Sequence, residues 1–100
     1  MTGSQPWAVK VGVLEVDLSS YRAAFRGREL DLNASQLEVL AILLANRSRV
    51  CSRLELSQAT DLYGARTIDA ILTRIRQQVG MDFIKNVHNM GWIIEPEKLN

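Results

Sequence analysis

This sequence has few of the residues that build disulfides, metal sites or hydrolytic centres. Its 100 residues include one cysteine, Cys51, and one histidine, His88. A single cysteine excludes a disulfide within the chain and fits a reducing compartment, and we expect Cys51 to be a small buried hydrophobic residue. One histidine makes a histidine-rich metal site or a Ser-His-Asp triad difficult to assemble. The sequence also offers no phosphate-binding glycine loop or paired-carboxylate motif, so we expect no cofactor, no metal and no enzymatic activity.

Long apolar runs and strong net charge are missing as well. No run of about 18 apolar residues exists, so we expect no membrane span. The first six residues lack the basic segment and apolar run of a secretory signal, and these features together predict a cytoplasmic protein. The net charge is +1, although residues 39–92 carry seven basic and four acidic side chains. This mild asymmetry predicts only weak long-range attraction to a polyanion such as DNA.

What is present is the pattern of one small folded domain. Hydrophobic residues make up 47% of the chain and charged residues 23%, as in globular proteins, and 100 residues suffice for a single core. Three strand-like runs open the chain, namely Val9–Val16, Tyr21–Phe25 and Arg28–Leu32. Their order along the chain predicts an antiparallel meander.

Three helices and a hairpin are predicted to follow this meander. Capping boxes at Asn33–Gln36 and Ser52–Glu55 predict the starts of the first two helices, and we expect Asn46 to end the first in a left-handed conformation. The second helix is predicted over about 53–62 and the third over about 66–79, with a tight glycine turn between them. A hairpin over about 83–94 then completes a winged helix-turn-helix, so the predicted fold class is α+β.

The third helix has one apolar stripe and one polar face. The stripe has the i, i+3, i+4, i+7 spacing of a core-facing helix and consists of Ile68, Ile71, Leu72, Ile75 and Val79. The opposite side carries Arg66, Ala70, Thr73 and Gln77, with Arg74 on one flank and Asp69 and Arg76 on the other. Guanidinium, amide and hydroxyl groups can contact base edges and phosphates. The alternatives are an ordinary solvated face, ion pairs between the arginines and nearby acids, and a helix-dipole role for Asp69.

At this point the residues resemble a known family, the OmpR/PhoB-type winged-helix DNA-binding domain of bacterial response regulators. The similar segments run from about Val11 to Ile94, and they are Leu30–Leu37, Val50–Arg53, Arg66–Asp69, Arg74–Arg76 and Val87–Trp92. The segments in the third helix carry the most specific part of the resemblance. Asn33 stands where the family usually has a capping threonine, and Trp92 stands where it usually has a tyrosine.

The resemblance implies a sequence-specific DNA-binding domain of a two-component transcription regulator, associated with the nucleoid. The recognition helix of such domains enters the major groove, and the wing reaches the adjacent minor groove. Positions corresponding to Asp69, Thr73 and Arg74 would face bases. Positions corresponding to Arg66, Arg76 and Gln77 would lie near phosphate, with His88 where the wing often presents an arginine. The family typically binds direct repeats of double-stranded DNA as a head-to-tail dimer.

Several features depart from the family pattern. His88 and Asn89 replace the wing Arg-Gly, and a neutral histidine holds phosphate less strongly than arginine. Ile71 stands where many members carry a polar residue. The connection at Tyr63–Ala65 is shorter than usual, which puts contact with RNA polymerase through this loop in doubt. No receiver domain accompanies the sequence, so it was either removed or never present, and Gly3–Ser4 is compatible with a cloning scar.

The sequence therefore predicts a flexible segment over residues 1–8, a winged-helix domain over 9–95 and a tail over 96–100. Its primary predicted function is DNA binding without catalysis. A protein-interaction module that kept the winged-helix scaffold and lost DNA binding stays open as an alternative, because the net charge is low. Met90 at the predicted wing tip would then contact a partner protein, and Trp92 is expected to pack on the recognition helix in either case.

Overall fold

The computed structural model describes residues 8–60, 65–80, 83–88 and 90–95. The elements in chain order are β1 Ala8–Val11, β2 Leu14–Asp17, β3 Arg22–Phe25, β4 Arg28–Glu29, α1 Ala34–Ala45, α2 Arg53–Thr60, α3 Ala65–Val79, β5 Ile84–Val87 and β6 Gly91–Ile94. The predicted α+β winged helix-turn-helix, with its N-terminal antiparallel sheet, three helices and C-terminal hairpin, is confirmed. The predicted turn at Gly64 lies outside the described residues.

The N-terminal sheet has four antiparallel strands in the order β1-β2-β3-β4. The expectation of one strand over Val9–Val16 was wrong, because the chain reverses at Gly12, which has a φ of 58°. Val11 therefore pairs with Leu14 across a two-residue turn. A glycine adopts this positive φ without the Cβ penalty of other residues. The turn at Gly12 therefore divides the predicted strand into β1 and β2.

Helix α1 begins at the predicted capping box. The Asn33 side chain accepts a hydrogen bond from the Gln36 N–H at 2.9 Å, and the Asn33 N–H donates to the Gln36 side chain at 2.9 Å. The predicted left-handed end at Asn46 was wrong, since its φ is −111°. Its N–H and side-chain amide both donate to the carbonyl of Ile42, which closes the helix without a positive φ. Two residues after Asn46, Ser48 adopts a left-handed conformation, with a φ of 70°.

The core lies between the three helices, the inner face of the sheet and the hairpin. Among its fully buried side chains are Leu14, Leu37, Leu40, Leu43, Leu44, Leu56, Ile68, Leu72, Ile75, Phe83, Ile84 and Ile94. The predicted apolar stripe of α3 is buried throughout, so the opposite side of this helix is turned away from the core. Cys51 is also buried, as predicted, and this burial raises the pKa of its thiol.

Candidate nucleic-acid interface

The outer face of α3 is the surface opposite its buried stripe, and it consists of Ala70, Thr73 and Gln77 in the part that the structure describes. All three residues are exposed. The Thr73 hydroxyl donates to the Asp69 carbonyl at 2.8 Å, so it remains available as an acceptor. Arg66 is placed in α3, but its side chain lies outside the described residues. The small side chain of Ala70 in the middle of this face leaves room for close approach of another surface.

Ile71 explains one departure from the family pattern. It stands where many members carry a polar residue, and it is only 8% exposed. The side chain is part of the buried stripe rather than of the outer face. This position therefore contributes packing and offers no hydrogen bond to a phosphate.

The sheet-side flank of α3 carries Arg74. Its Nη2 lies 3.2 Å from Oδ2 of Asp31, in the segment between β4 and α1. One turn further along α3, the Gln78 side-chain amide accepts from the Asp31 N–H at 2.7 Å and donates to the Asp31 carbonyl. Arg28 of β4 in turn donates to the Gln78 carbonyl at 3.1 Å. The C-terminal half of α3 is thus hydrogen-bonded to the strand-to-helix segment.

The wing-side flank of α3 carries Asp69 and Arg76. Oδ1 of Asp69 accepts from Nε of Arg53 at 2.8 Å and from the indole N–H of Trp92 at 3.0 Å. Arg76 lies over the Trp92 ring, with 5.5 Å from its Cζ to the ring centroid. Trp92 is 4% exposed, as expected for a side chain packed on this helix. One carboxylate oxygen therefore joins α2, α3 and β6.

The wing is fixed to the rest of the domain at Gly91. A backbone bridge pairs Cys51 with Trp92, with hydrogen bonds of 2.7 and 2.9 Å. Gly91 has a φ of 138°, and a Cβ at this position would lie 2.0 Å from the Cys51 carbonyl oxygen. Only glycine permits this approach. The bridge leaves His88 and Met90 exposed at the tip of the hairpin, whereas Asn89 between them lies outside the described residues.

The structure places Asp69, Thr73, Arg74, Arg76 and Gln77 along α3 and His88 at the tip of the hairpin, and the side chains differ in exposure and in bonding partners. Thr73 and Gln77 are exposed on the outer face, and Arg74 is ion-paired beside it. Arg76 and Asp69 are engaged with the wing, and the partnership of Asp69 with Arg53 was missed by the sequence reasoning. Arg53 stands 16 positions earlier on another helix, and no local spacing connects the two. Whether any of these residues contacts DNA stays a prediction.

Two kinds of feature are not found among the described residues, namely a metal-type cluster and a membrane-spanning helix. Within them, no three histidine, cysteine, aspartate or glutamate side chains lie close enough together to hold a metal ion. No described helix is long and apolar enough to cross a membrane.

The fold, with an exposed polar face on its third helix and a hairpin fixed beside it, defines a winged-helix domain of the OmpR/PhoB type. The chain belongs to the family described as "Transcriptional regulatory protein, C terminal", whose model matches residues 27–94. The predicted class, a DNA-binding domain of a transcription regulator, is therefore confirmed.

Two curated relatives and one solved structure illustrate the relationship. The chain is 31% identical over 84 residues to Response regulator RR06 of Streptococcus pneumoniae, covering 79% of this chain and 39% of that protein. It is 28% identical over 95 residues to the phosphate regulon transcriptional regulatory protein PhoB of Rhizobium meliloti, covering 87% and 42%. The chain thus spans less than half the length of either relative.

The solved structure is the Klebsiella pneumoniae RstA DNA-binding domain in complex with the RstA box. It superposes with a TM-score of 0.78 at 20% identity, covering 89% of this chain and 97% of that one. At this level of identity the likeness supports the fold.

Proposed function

We propose that this domain binds double-stranded DNA sequence-specifically, with α3 in the major groove and the hairpin tip near the adjacent minor groove. The observation that carries the proposal is the exposed outer face of α3 on a helix anchored by a fully apolar stripe. An α-helix fits the width of the B-form major groove. Thr73 and Gln77 offer hydrogen-bonding groups on this face, and Ala70 lets the helix approach closely.

In this proposal the predicted site residues have separate roles. Arg74 and Thr73 contact bases, whereas Arg66, Arg76 and Gln77 contact or lie near phosphate. Asp69 faces the groove through the part of its carboxylate that does not bind Arg53 and Trp92. His88 supplies a wing contact close to the minor groove, and this contact is weaker than an arginine would give.

The finer features of the function belong to the same proposal. The domain over residues 9–95 acts without catalysis and without a cofactor. It occupies direct-repeat sites as a head-to-tail homodimer, inside a longer cytoplasmic regulator. The short connection at Tyr63–Ala65 argues against recruitment of RNA polymerase through that loop.

Site selection from random duplex DNA, followed by fluorescence anisotropy across a salt series, tests the proposal. We expect an enriched duplex whose log affinity falls linearly with log salt. Arg74→Ala should weaken binding to it by about fivefold or more, because a bidentate contact between arginine and guanine is worth roughly 1–3 kcal/mol. Arg22→Ala is the matched control, since Arg22 is also an exposed arginine paired with an acid, Glu29, but lies on the sheet. Equal losses in both variants, or no enriched duplex, would contradict the proposal.

A protein-interaction module is the second candidate, and the exposure of Met90 favours it. Met90 is 61% exposed at the tip of the hairpin, where a large apolar side chain has little to gain from water. In this case the selection from random DNA would enrich no duplex. A partner protein would bind instead, its affinity would not depend on salt, and Met90→Ser would abolish its binding.

A further inference from the structure

Arg74, the residue expected to contribute most to base recognition, already has an anionic partner within the domain. We propose that the Asp31 carboxylate competes with DNA for Arg74 and thereby lowers the affinity of the domain for its site. This inference rests on the proposed function, because it concerns how the same surface is regulated. It adds a residue outside α3, 43 positions before Arg74, to the determinants of binding.

The backbone holds Asp31 in the position that makes this competition possible. The Gln78 side-chain amide bonds both the N–H and the carbonyl of Asp31. Gln78 lies one helical turn after Arg74, so this clamp holds the Asp31 backbone against the part of α3 that carries Arg74. The carboxylate itself takes no part in the clamp. Substituting it therefore leaves the clamp in place.

The ion pair is weak enough to be exchanged. Its contact is a single one of 3.2 Å, and the side chains of Asp31 and Arg74 are 94% and 44% exposed. Exposed ion pairs are screened by water and salt and contribute little. A guanine base that offers two acceptors, or a phosphate, can therefore displace the carboxylate from Arg74.

Asp31 is better suited to compete than to orient Arg74 for DNA. A carboxylate that orients an arginine must itself be fixed, as Asp69 is by its bonds to Arg53 and Trp92. Among the described residues, the side-chain carboxylate of Asp31 is bound by Arg74 alone, through one contact. Kept in place in a complex, this exposed negative charge would also approach the phosphates and be repelled by them. The carboxylate is therefore released when DNA binds.

The test measures the affinity of Asp31→Asn for the enriched duplex, in the whole chain. We expect binding about two- to fivefold tighter than wild type, the range that corresponds to loss of an exposed ion pair. Glu15→Gln is the matched control, because it removes the same charge from an exposed pair, with Lys10, on the sheet. The control should change affinity by less than half as much.

A second background isolates the role of Arg74. In a protein that already carries Arg74→Ala, Asp31→Asn should raise the affinity by less than half as much as it does in the wild type. The arginine for which Asp31 and DNA compete is then absent. An unchanged gain would mean that Asp31 acts through general repulsion, and weaker binding by Asp31→Asn would mean that it orients Arg74; either result overturns the inference. Wild-type protein that binds no duplex would instead overturn the proposed function itself.

Discussion

The two flanks of α3 hold the same helix in opposite ways. On the wing-side flank, Asp69 binds a half-buried arginine and a buried indole, and Arg76 stacks on the same indole ring. On the sheet-side flank, Arg74 makes one exposed contact with Asp31. The Asp69 carboxylate is partly buried and has two donors, which fixes its geometry. The Asp31 side chain is 94% exposed and has a single contact, which exchanges readily. The bonds of Asp69 and the clamp at Gln78 therefore both hold α3 in place, whereas the single contact between Asp31 and Arg74 leaves this arginine able to exchange partners.

The difference also separates two arginines that look equivalent in the sequence. Arg74 and Arg76 are two positions apart, and both were predicted to contact DNA. Arg76 has a buried Nε and an aromatic partner, so its guanidinium contributes to packing in the free domain. Arg74 is 44% exposed, and one contact with Asp31 is its side-chain hydrogen bond among the described residues. We therefore expect substitution of Arg76 to lower mainly the free energy of unfolding, and substitution of Arg74 to lower mainly the affinity for DNA.

The largest effect is expected where the wing is fixed to the core. Gly91→Ala places a Cβ within 2.0 Å of the Cys51 carbonyl oxygen and within 2.8 Å of the Ser52 Cα, both of which are backbone atoms. The bridge between Cys51 and Trp92 must open to admit it, and the positive φ adds strain. We expect a loss of about 3 kcal/mol or more in the free energy of unfolding, measured by urea denaturation.

Gly27→Ala is the matched control for this prediction. Gly27 also has a positive φ, of 81°, but a Cβ there meets nothing within 4 Å. It should cost only the backbone penalty of about 1–2 kcal/mol. If the two variants unfold at the same urea concentration, the added Cβ at Gly91 costs no more than backbone strain. The bridge between Cys51 and Trp92 would then not be what fixes the wing to the core.

An intermediate effect is expected from removing one carboxylate on each flank. Asp69→Ala leaves the Arg53 Nε–H and the Trp92 indole N–H without their acceptor, which should cost about 1–3 kcal/mol of stability. It should also change the fluorescence of Trp92. Asp31→Ala removes an exposed group whose backbone stays clamped by Gln78, so its unfolding midpoint should shift by less than a quarter as much. Equal shifts in urea denaturation would remove the distinction between the two flanks.

The sequence was sufficient for the features that depend on local spacing. The apolar stripe of α3 and the capping box at Asn33 and Gln36 follow from side chains three or four positions apart, and both were predicted correctly. The failures were also local, at Gly12 and Asn46. A glycine inside a β-prone run can be a strand residue or a turn, and the strand pairing on either side decides which it is.

The partners on the two flanks could not be predicted in the same way. Arg53 and Trp92 meet Asp69 only after α2 and the hairpin have packed against α3. Asp31 meets Arg74 across 43 positions, because the clamp at Gln78 brings the strand-to-helix segment onto the helix. Such contacts depend on tertiary packing. The sequence therefore identified the candidate face, while the structure supplied the groups that bind its flanking side chains.

The smallest effect on stability is expected at an ion pair that lies on neither flank of α3. This pair shows how much an exposed ion pair contributes to stability in this domain. Nη2 of Arg49 lies 2.6 Å from Oε2 of Glu55, and this hydrogen bond lowers the pKa of the Glu55 carboxyl. Because the pKa is lower in the folded state, the pair stabilises the fold above the unfolded pKa of about 4.3, and this stabilisation is lost as the pH falls through the folded value. Glu55→Gln should therefore lower the melting temperature at pH 7 by about 2 °C and leave it unchanged near pH 2. The same substitution should have less effect in an Arg49→Ala background. A difference that persists in strong acid would show that Glu55 stabilises α2 through packing, and the pair would no longer represent an exposed, exchangeable contact.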